Sequence, residues 1–226
     1  MIRVCIAGVT GWTGRAVADG VEGADGLALV SGVSRSDPSR FDSVAEALDA
    51  VEADVVVGSS GLTAADYAEI DALSRERGVG VIAAGNFSLS AALVLRFAVE
   101  AARHLERFEV IDYAGATKAD APSGTARELA ERLGEVRAPA VDVPPEETVG
   151  AAEARGATIA GTQVHSLRLP SFVVSTEVVF AAPGERLTLR HDAGDSPAPY
   201  VAGTLLAIRA VPGRVGLTRG LDQLLD

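Results

Sequence analysis

Residues 2–7 read Ile-Arg-Val-Cys-Ile-Ala, and Gly8-Val9-Thr10-Gly11-Trp12-Thr13-Gly14 follows at once. A short apolar run that breaks into three glycines at three-residue spacing, then enters a helical pattern through Val21, is a strand, a tight turn and a helix. The alternation repeats downstream. Leu27–Val33, Val55–Val57 and Val79–Ala84 read as strands, and Val44–Val51, Ala64–Arg77 and Leu89–His104 as helices, with Gly78 closing the second of these helices. Strands alternating with helices need right-handed crossovers and build a parallel sheet. The expected class is α/β for the first part of the chain.

The pattern changes near residue 107. Phe108–Tyr113 is a strand, Thr125–Leu133 a helix, and residues 139–156, rich in Pro, Ala and Glu, a long exposed connection. Three strand-like runs follow, Ala157–Leu169, Phe172–Phe180 and Arg186–His191, the last two joined by a Pro183-Gly184 turn. Consecutive strands imply a more open, largely antiparallel sheet. Tyr200–Val211 is an apolar helix and the tail after it is short. A second, α+β domain is therefore expected from residue 107, after a first domain over 1–106.

The glycine spacing differs from the G-x-G-x-x-G fingerprint, so its weight comes from position, between the first strand and the first helix. Glycines there let the backbone approach a pyrophosphate at the helix N-terminus, as in a Rossmann-type nucleotide domain. Gly8, Thr10, Gly11, Trp12, Thr13 and Gly14 are the candidate cofactor contacts; the competing reading is a plain tight turn. At the end of the second strand, Ser34-Arg35-Ser36 falls where such a domain selects its cofactor. An arginine flanked by serines suits the 2′-phosphate of NADP, although Asp37 nearby blurs the choice and a solvated surface arginine remains the alternative. NADPH is the expected cofactor, with NADH possible.

A second run, Lys118-Ala-Asp-Ala-Pro-Ser-Gly-Thr-Ala126, opens the helix TARELAERL. A helix start gathers free N–H groups and partial positive charge, and Lys118 adds a full charge beside it. Lys118, Ser123, Gly124 and Thr125 are thus candidates for binding a carboxylate or phosphate, against the plainer reading of an ordinary N-cap.

Acidic residues exceed basic ones, 31 to 20, for a net charge of −11, which argues against nucleic acid as a partner. No apolar run is long enough to cross a membrane, the N-terminus enters a strand directly, and the single Cys5 lies in an apolar strand. The expectation is a cytoplasmic protein with a small-molecule substrate and no membrane partner. No His, Cys, Asp and Glu cluster has metal-ligand spacing, so no metal is expected.

With these residues in view, the chain resembles the 4-hydroxy-tetrahydrodipicolinate (dihydrodipicolinate) reductases of lysine and diaminopimelate biosynthesis. That family's G-x-x-G-x-x-G, G-T-T-G, A-P-N-F-S and K-x-D-A-P-S-G-T-A segments are matched, in order, by Gly8–Gly14, Gly58–Gly61, Ala84–Ser88 and Lys118–Ala126. The similarity continues through residues 165–170 and 183–192. The resemblance implies a nucleotide domain, 1–106, completed by the C-terminal helix and tail, 204–226. It implies a domain over 107–203 that binds substrate and forms a homotetramer. It places the nicotinamide near Gly58, Ser59, Ser60, Gly61, Ala84, Asn86 and Phe87, and a substrate carboxylate on Gly124 and Thr125. Lys118 is implied to stabilise substrate charge or assist protonation.

The departures lie in the proton-donating half. The family's adjacent histidine pair aligns with Ala114 and Gly115, a later substrate-side histidine with Ser175 or Thr176, and a downstream arginine with Ser196. The strand and helix before Gly58 look compressed. These losses lead to the expectation of an NAD(P)H-dependent reductase acting on an altered carboxylate-bearing cyclic imine or enamine. The lysine-pathway substrate, and a non-catalytic NADP-binding paralogue, are the alternatives. His165 is the other catalytic candidate if its strand faces the cleft; otherwise it is structural. Trp12 either stacks near the cofactor or staples the first helix.

Overall fold

The structure is a computed structural model describing residues 1–7, 9–33, 54–58 and 62–225; the helix expected over Val44–Val51 lies outside them. In chain order the first elements are β1 (Ile2–Ala7), α1 (Trp12–Glu22), β2 (Leu27–Val33), β3 (Val55–Val57), α2 (Ala64–Arg77) and β4 (Gly80–Ala83). Then come α3 (Leu89–His104), β5 (Arg107–Ala114), α4 (Gly124–Val136), β6 (Ala157–Ile159) and β7 (Thr162–Arg168). The last are β8 (Val174–Ala182), β9 (Glu185–Asp192), α5 (Ala198–Ala210) and β10 (Gly216–Arg219). They form two compact units, Met1–Leu89 with Ser196–Asp226, and Ser90–Asp195.

Among the described residues of the first unit every strand pairing is parallel: β1 with β2, and β10-β4-β3 in that order. This is the sheet of a Rossmann-type fold. Val4, Ile6, Val17, Ala18, Val21, Leu27 and Ile208 make its core, joined by Val56 of β3. The apolar stripe of α1, Val17, Ala18 and Val21, faces that core. Helix α2 has only Ser74 buried, so its ends matter more: Thr63 and Asp66 form a reciprocal capping box, and Gly78 closes the helix at φ 69°. The tail, expected to be merely short, supplies β10. Its strand is fixed by tertiary partners: the Leu217 amide donates to Asp71 Oδ1 at 2.8 Å, and the Arg219 guanidinium lies 4.3 Å from the Tyr67 ring centre. Three apolar-poor residues out of four carry little strand signal of their own.

The second unit holds one five-stranded sheet, ordered β6-β7-β5-β8-β9. Three of its four pairings are antiparallel, and β5 with β7 is parallel. The run expected as one strand over Ala157–Leu169 is a hairpin. Ala160 and Gly161 have φ of 49° and 83°, the positive values a two-residue hairpin turn needs, and an alanine gives no hint of that. Pro183-Gly184 does make the expected turn, with Gly184 at φ 82°. The expected exposed connection contains two short 3₁₀ turns, Pro145–Glu147 and Ala152–Arg155. One sheet face carries α3 and α4 through Leu95, Ala98, Leu129, Leu133, Phe108, Val110, Val164, Val178 and Phe180. Strand alternation puts Asp112 on that face and Tyr113 on the other.

Candidate functional site

The nucleotide-side residues sit at the carboxyl ends of parallel strands, the place where open α/β sheets take ligands. Gly11 caps α1 with extended backbone, offers no side-chain cap, and is followed by a first turn without an acid. Gly11, Trp12 and Thr13 are exposed. A helix N-terminus of this kind, with no side-chain cap and no acid in its first turn, suits a pyrophosphate. Trp12 is 53% exposed and meets Tyr200 of α5 edge-on, ring centres 6.2 Å apart, so it braces α1 against α5 and still presents indole surface to solvent. Gly14 and Thr10 are half-buried beside it. Gly8, Ser34, Arg35, Ser36, Ser59, Ser60 and Gly61 lie outside the described residues.

Gly58 follows β3, and the 84–88 loop follows β4, its parallel neighbour. A methyl group on Gly58 would stand 3.6 Å from the Phe87 ring. Ala84 and Phe87 are buried, so what they can offer a cofactor is backbone rather than side chain. Asn86 Oδ1 accepts from the Ser88 amide at 2.8 Å and shapes the loop. The loop rests on Gly203 of α5, where any side chain would run into the Phe87 carbonyl oxygen.

In the second unit the loop after β5 is built around Asp112, which is fully buried. Its Oδ2 accepts from the Ser123 amide at 2.9 Å, Ser166 Oγ at 3.1 Å and Arg168 Nη2 at 2.8 Å. The same guanidinium nitrogen donates to the Asp120 carbonyl at 2.6 Å, and Nη1 to the Leu167 carbonyl at 2.8 Å. Lys118 Nζ is paired with Asp120 Oδ1 at 2.8 Å, which holds the Asp120 carboxyl below its usual range. The buried Asp112 and its arginine were not singled out as site residues from sequence. The signal was present, since Asp112 occupies an apolar-facing position of a strand, where an unpaired acid is not tolerated.

Two of the expected site residues are held by partners of their own. Ser123 is only 2% exposed, its amide is spent on Asp112, and its Oγ accepts from the Ala126 amide at 3.3 Å. Ser123 therefore braces the loop, with Gly124 buried beside it and Lys118 and Thr125 half-buried. His165 stands opposite Ile111, on the sheet face away from Asp112 and Ser166. There its Nε2 pairs with Glu109 Oε2 at 2.7 Å, and Arg155 holds the other Glu109 oxygen at 3.0 Å. That pairing fits the structural alternative for His165. Tyr113 shares that face, bonded to Glu177 and covered by Arg190 at 4.7 Å, and burial pushes its phenol upward. His191 is the third histidine of the chain. It lies on the helix-covered face, its Nδ1 3.0 Å from Ser90 Oγ, and burial lowers its pKa.

A parallel-sheet unit with an uncapped glycine turn, joined in one chain to a unit with a lysine-bearing helix start, defines the class: an NAD(P)H-dependent oxidoreductase. Residues 90–225 match the family model described as dihydrodipicolinate reductase, C-terminus. Proteins named 4-hydroxy-tetrahydrodipicolinate reductase from Mycobacterium sp. strain KMS and Cutibacterium acnes are 37% and 38% identical over 244 aligned positions. Each alignment covers 100% of this chain and 99% of the relative. A dipicolinate-bound dihydrodipicolinate reductase from Paenisporosarcina sp. TG-14 superposes with a TM-score of 0.78 at 27% identity, covering both chains fully. An engineered D-amino acid dehydrogenase, 16% identical with a TM-score of 0.53, shares the fold. The chain belongs to the dihydrodipicolinate reductase family.

Proposed function

We propose that this chain reduces 4-hydroxy-tetrahydrodipicolinate, with NADPH as the hydride source. The observation that carries the reading is full-length similarity to relatives of that one name, together with the loop Lys118–Ala126 at the start of α4. This is the alternative, rather than the altered substrate, of the sequence expectation. The uncapped start of α1 takes the cofactor pyrophosphate, and Ser34, Arg35 and Ser36 the 2′-phosphate. Gly58–Gly61 and the backbone of Ala84, Asn86 and Phe87 line the nicotinamide. When bound, that group supplies hydride to an electron-poor ring carbon.

The chain's own residues bind and polarise the substrate. The first turn of α4, at Gly124 and Thr125, receives a carboxylate, and the Lys118 ammonium exchanges Asp120 for the incoming anion. With Ala114 and Gly115 where the family carries histidines, Lys118 or water supplies the proton. A positioned donor contributes about 10² to 10⁴ in rate. That shortfall is the one observation favouring the second reading, a related cyclic imine as substrate. The homotetramer implied by the resemblance belongs to this proposal too, built on the sheet face that carries Tyr113 and Leu167.

The test is a steady-state assay with freshly generated 4-hydroxy-tetrahydrodipicolinate and NADPH, on wild type and Lys118→Ala. A kcat within about tenfold of the roughly 10 s⁻¹ typical of enzymes supports the first reading. Turnover several orders lower, while dipicolinate still binds, moves the assignment to the second. Lys118→Ala should raise KM about ten- to a hundredfold, the range of a lost charged hydrogen bond. Titration of NADP and NAD into Arg35→Ala checks the cofactor: wild type should prefer NADP, and the variant should not.

A further inference from the structure

Arg168 makes more of its surroundings than a strand-end arginine needs. One nitrogen, Nη2, bridges the buried Asp112 carboxylate and the backbone carbonyl of Asp120, two groups of unlike origin. Nη1 takes the Leu167 carbonyl. Its side chain is 17% exposed and that of Asp112 fully buried, so the pair is fixed by the packing around it. From Asp112 a second link runs to the Ser123 amide, immediately before the first turn of α4. The loop between β5 and α4 is thus held at two points by one ion pair: at the backbone of Asp120, whose side chain is the lysine's partner, and at Ser123, at the helix start. Between them the Asp120 side chain is 47% exposed, so it can swing from Lys118 without moving the anchored backbone.

We propose that Arg168, braced by Asp112, is a positioning residue for substrate. It fixes the backbone of Asp120 and so sets where the Lys118 ammonium stands relative to the first turn of α4. The inference rests on reading this loop as the carboxylate site. A guanidinium is required because it presents several donors in a rigid fork. A lysine at 168 keeps the charge but is a point donor on a flexible stem and cannot hold the aspartate and both carbonyls in a fixed arrangement. The residue touches no substrate atom; its effect passes through Lys118.

That path gives a test that a purely structural arginine fails. Dipicolinate is titrated calorimetrically into wild type, Arg168→Lys, Lys118→Ala and the double variant, with melting curves to establish that each is folded. Arg168→Lys should weaken binding about five- to tenfold. In the Lys118→Ala background the same change should cost less than twofold, because the group it positions is gone. Equal losses in both backgrounds, or no loss in either, overturn the positioning role while an intact Lys118→Ala effect preserves the loop as the site. If Lys118→Ala binds dipicolinate as wild type does, the site reading fails and this inference with it. Should Arg168→Lys not fold, Asp112→Asn serves in the same cycle with the same expectation.

Discussion

The two loops that carry the proposed chemistry are made by opposite means. The turn before α1 is backbone: an exposed Gly11, no side-chain cap and no acid in the first turn. The loop before α4 has its serine cap buried and its first amide spent, and hangs on an aspartate and an arginine 56 residues apart. The first is open, and under the proposed function a cofactor phosphate would bring its own charge to the helix dipole. The second is built tight, which under the proposed function would hold a small carboxylate against one lysine at one distance. A glycine turn is forgiving of its neighbours, whereas a braced loop transmits every change beneath it.

The hardest blow to the braced loop is Asp112→Ala. Removing one partner of a buried pair strands the other charge, so unfolding free energy should fall by about 3–5 kcal/mol. Denaturant melts measure it, and a loss below about 1 kcal/mol would mean that Arg168 finds another acid and that the loop is not hung on Asp112. In the nucleotide unit the matching blow is steric. Gly203→Ala forces a methyl group against the Phe87 carbonyl and should cost about 1–3 kcal/mol by overpacking, read as a lower melting temperature. An unchanged melting temperature would show that the loop over α5 is loose.

A pH series separates the units more gently. His191 has its pKa lowered by burial, so the folded chain prefers the neutral imidazole more than the unfolded chain does. Its contribution is present above the unfolded value, about 6.5, and is lost as pH falls from there through the lowered folded value. Urea midpoints at pH 8 and pH 5 should differ less in His191→Gln than in wild type; equal differences would refute this. The smallest effect is at the surface of the loop. Asp120→Asn removes the rival carboxylate from Lys118, an exposed pair worth about 0.2–1 kcal/mol, and dipicolinate should bind about two- to threefold tighter. Weaker binding would mean that Asp120 helps to seat the ligand.

How much of this was legible depended on the range of the forces involved. Leu27–Val33, Val55–Val57, Ala64–Arg77 and Leu89–His104 were readable to the residue, since apolar period and a closing glycine are local signals. The hairpin at Ala160-Gly161 was not, because an alanine at positive φ is tolerated only when both flanking strands are already paired. β10 was not, because its register comes from β4 and its anchors from α2. His165 looked equally apt for either sheet face; the pairing of β5 with β7 put it beside Glu109.

The sequence by itself determined the alternation that makes the parallel sheet, the glycine turn, and the lysine-bearing helix start with its family likeness. These are properties of neighbouring residues, set by dihedral freedom, period and capping. Only the tertiary structure decided that β5 would lie between β7 and β8, and with that everything on its two faces. It brought Ser166 and Arg168 to Asp112, sent His165 and Tyr113 to the far side, and tied the Ser123 amide to Asp112. A buried charge must find its partner wherever the chain can deliver one, and the sheet order decides which residues can reach it.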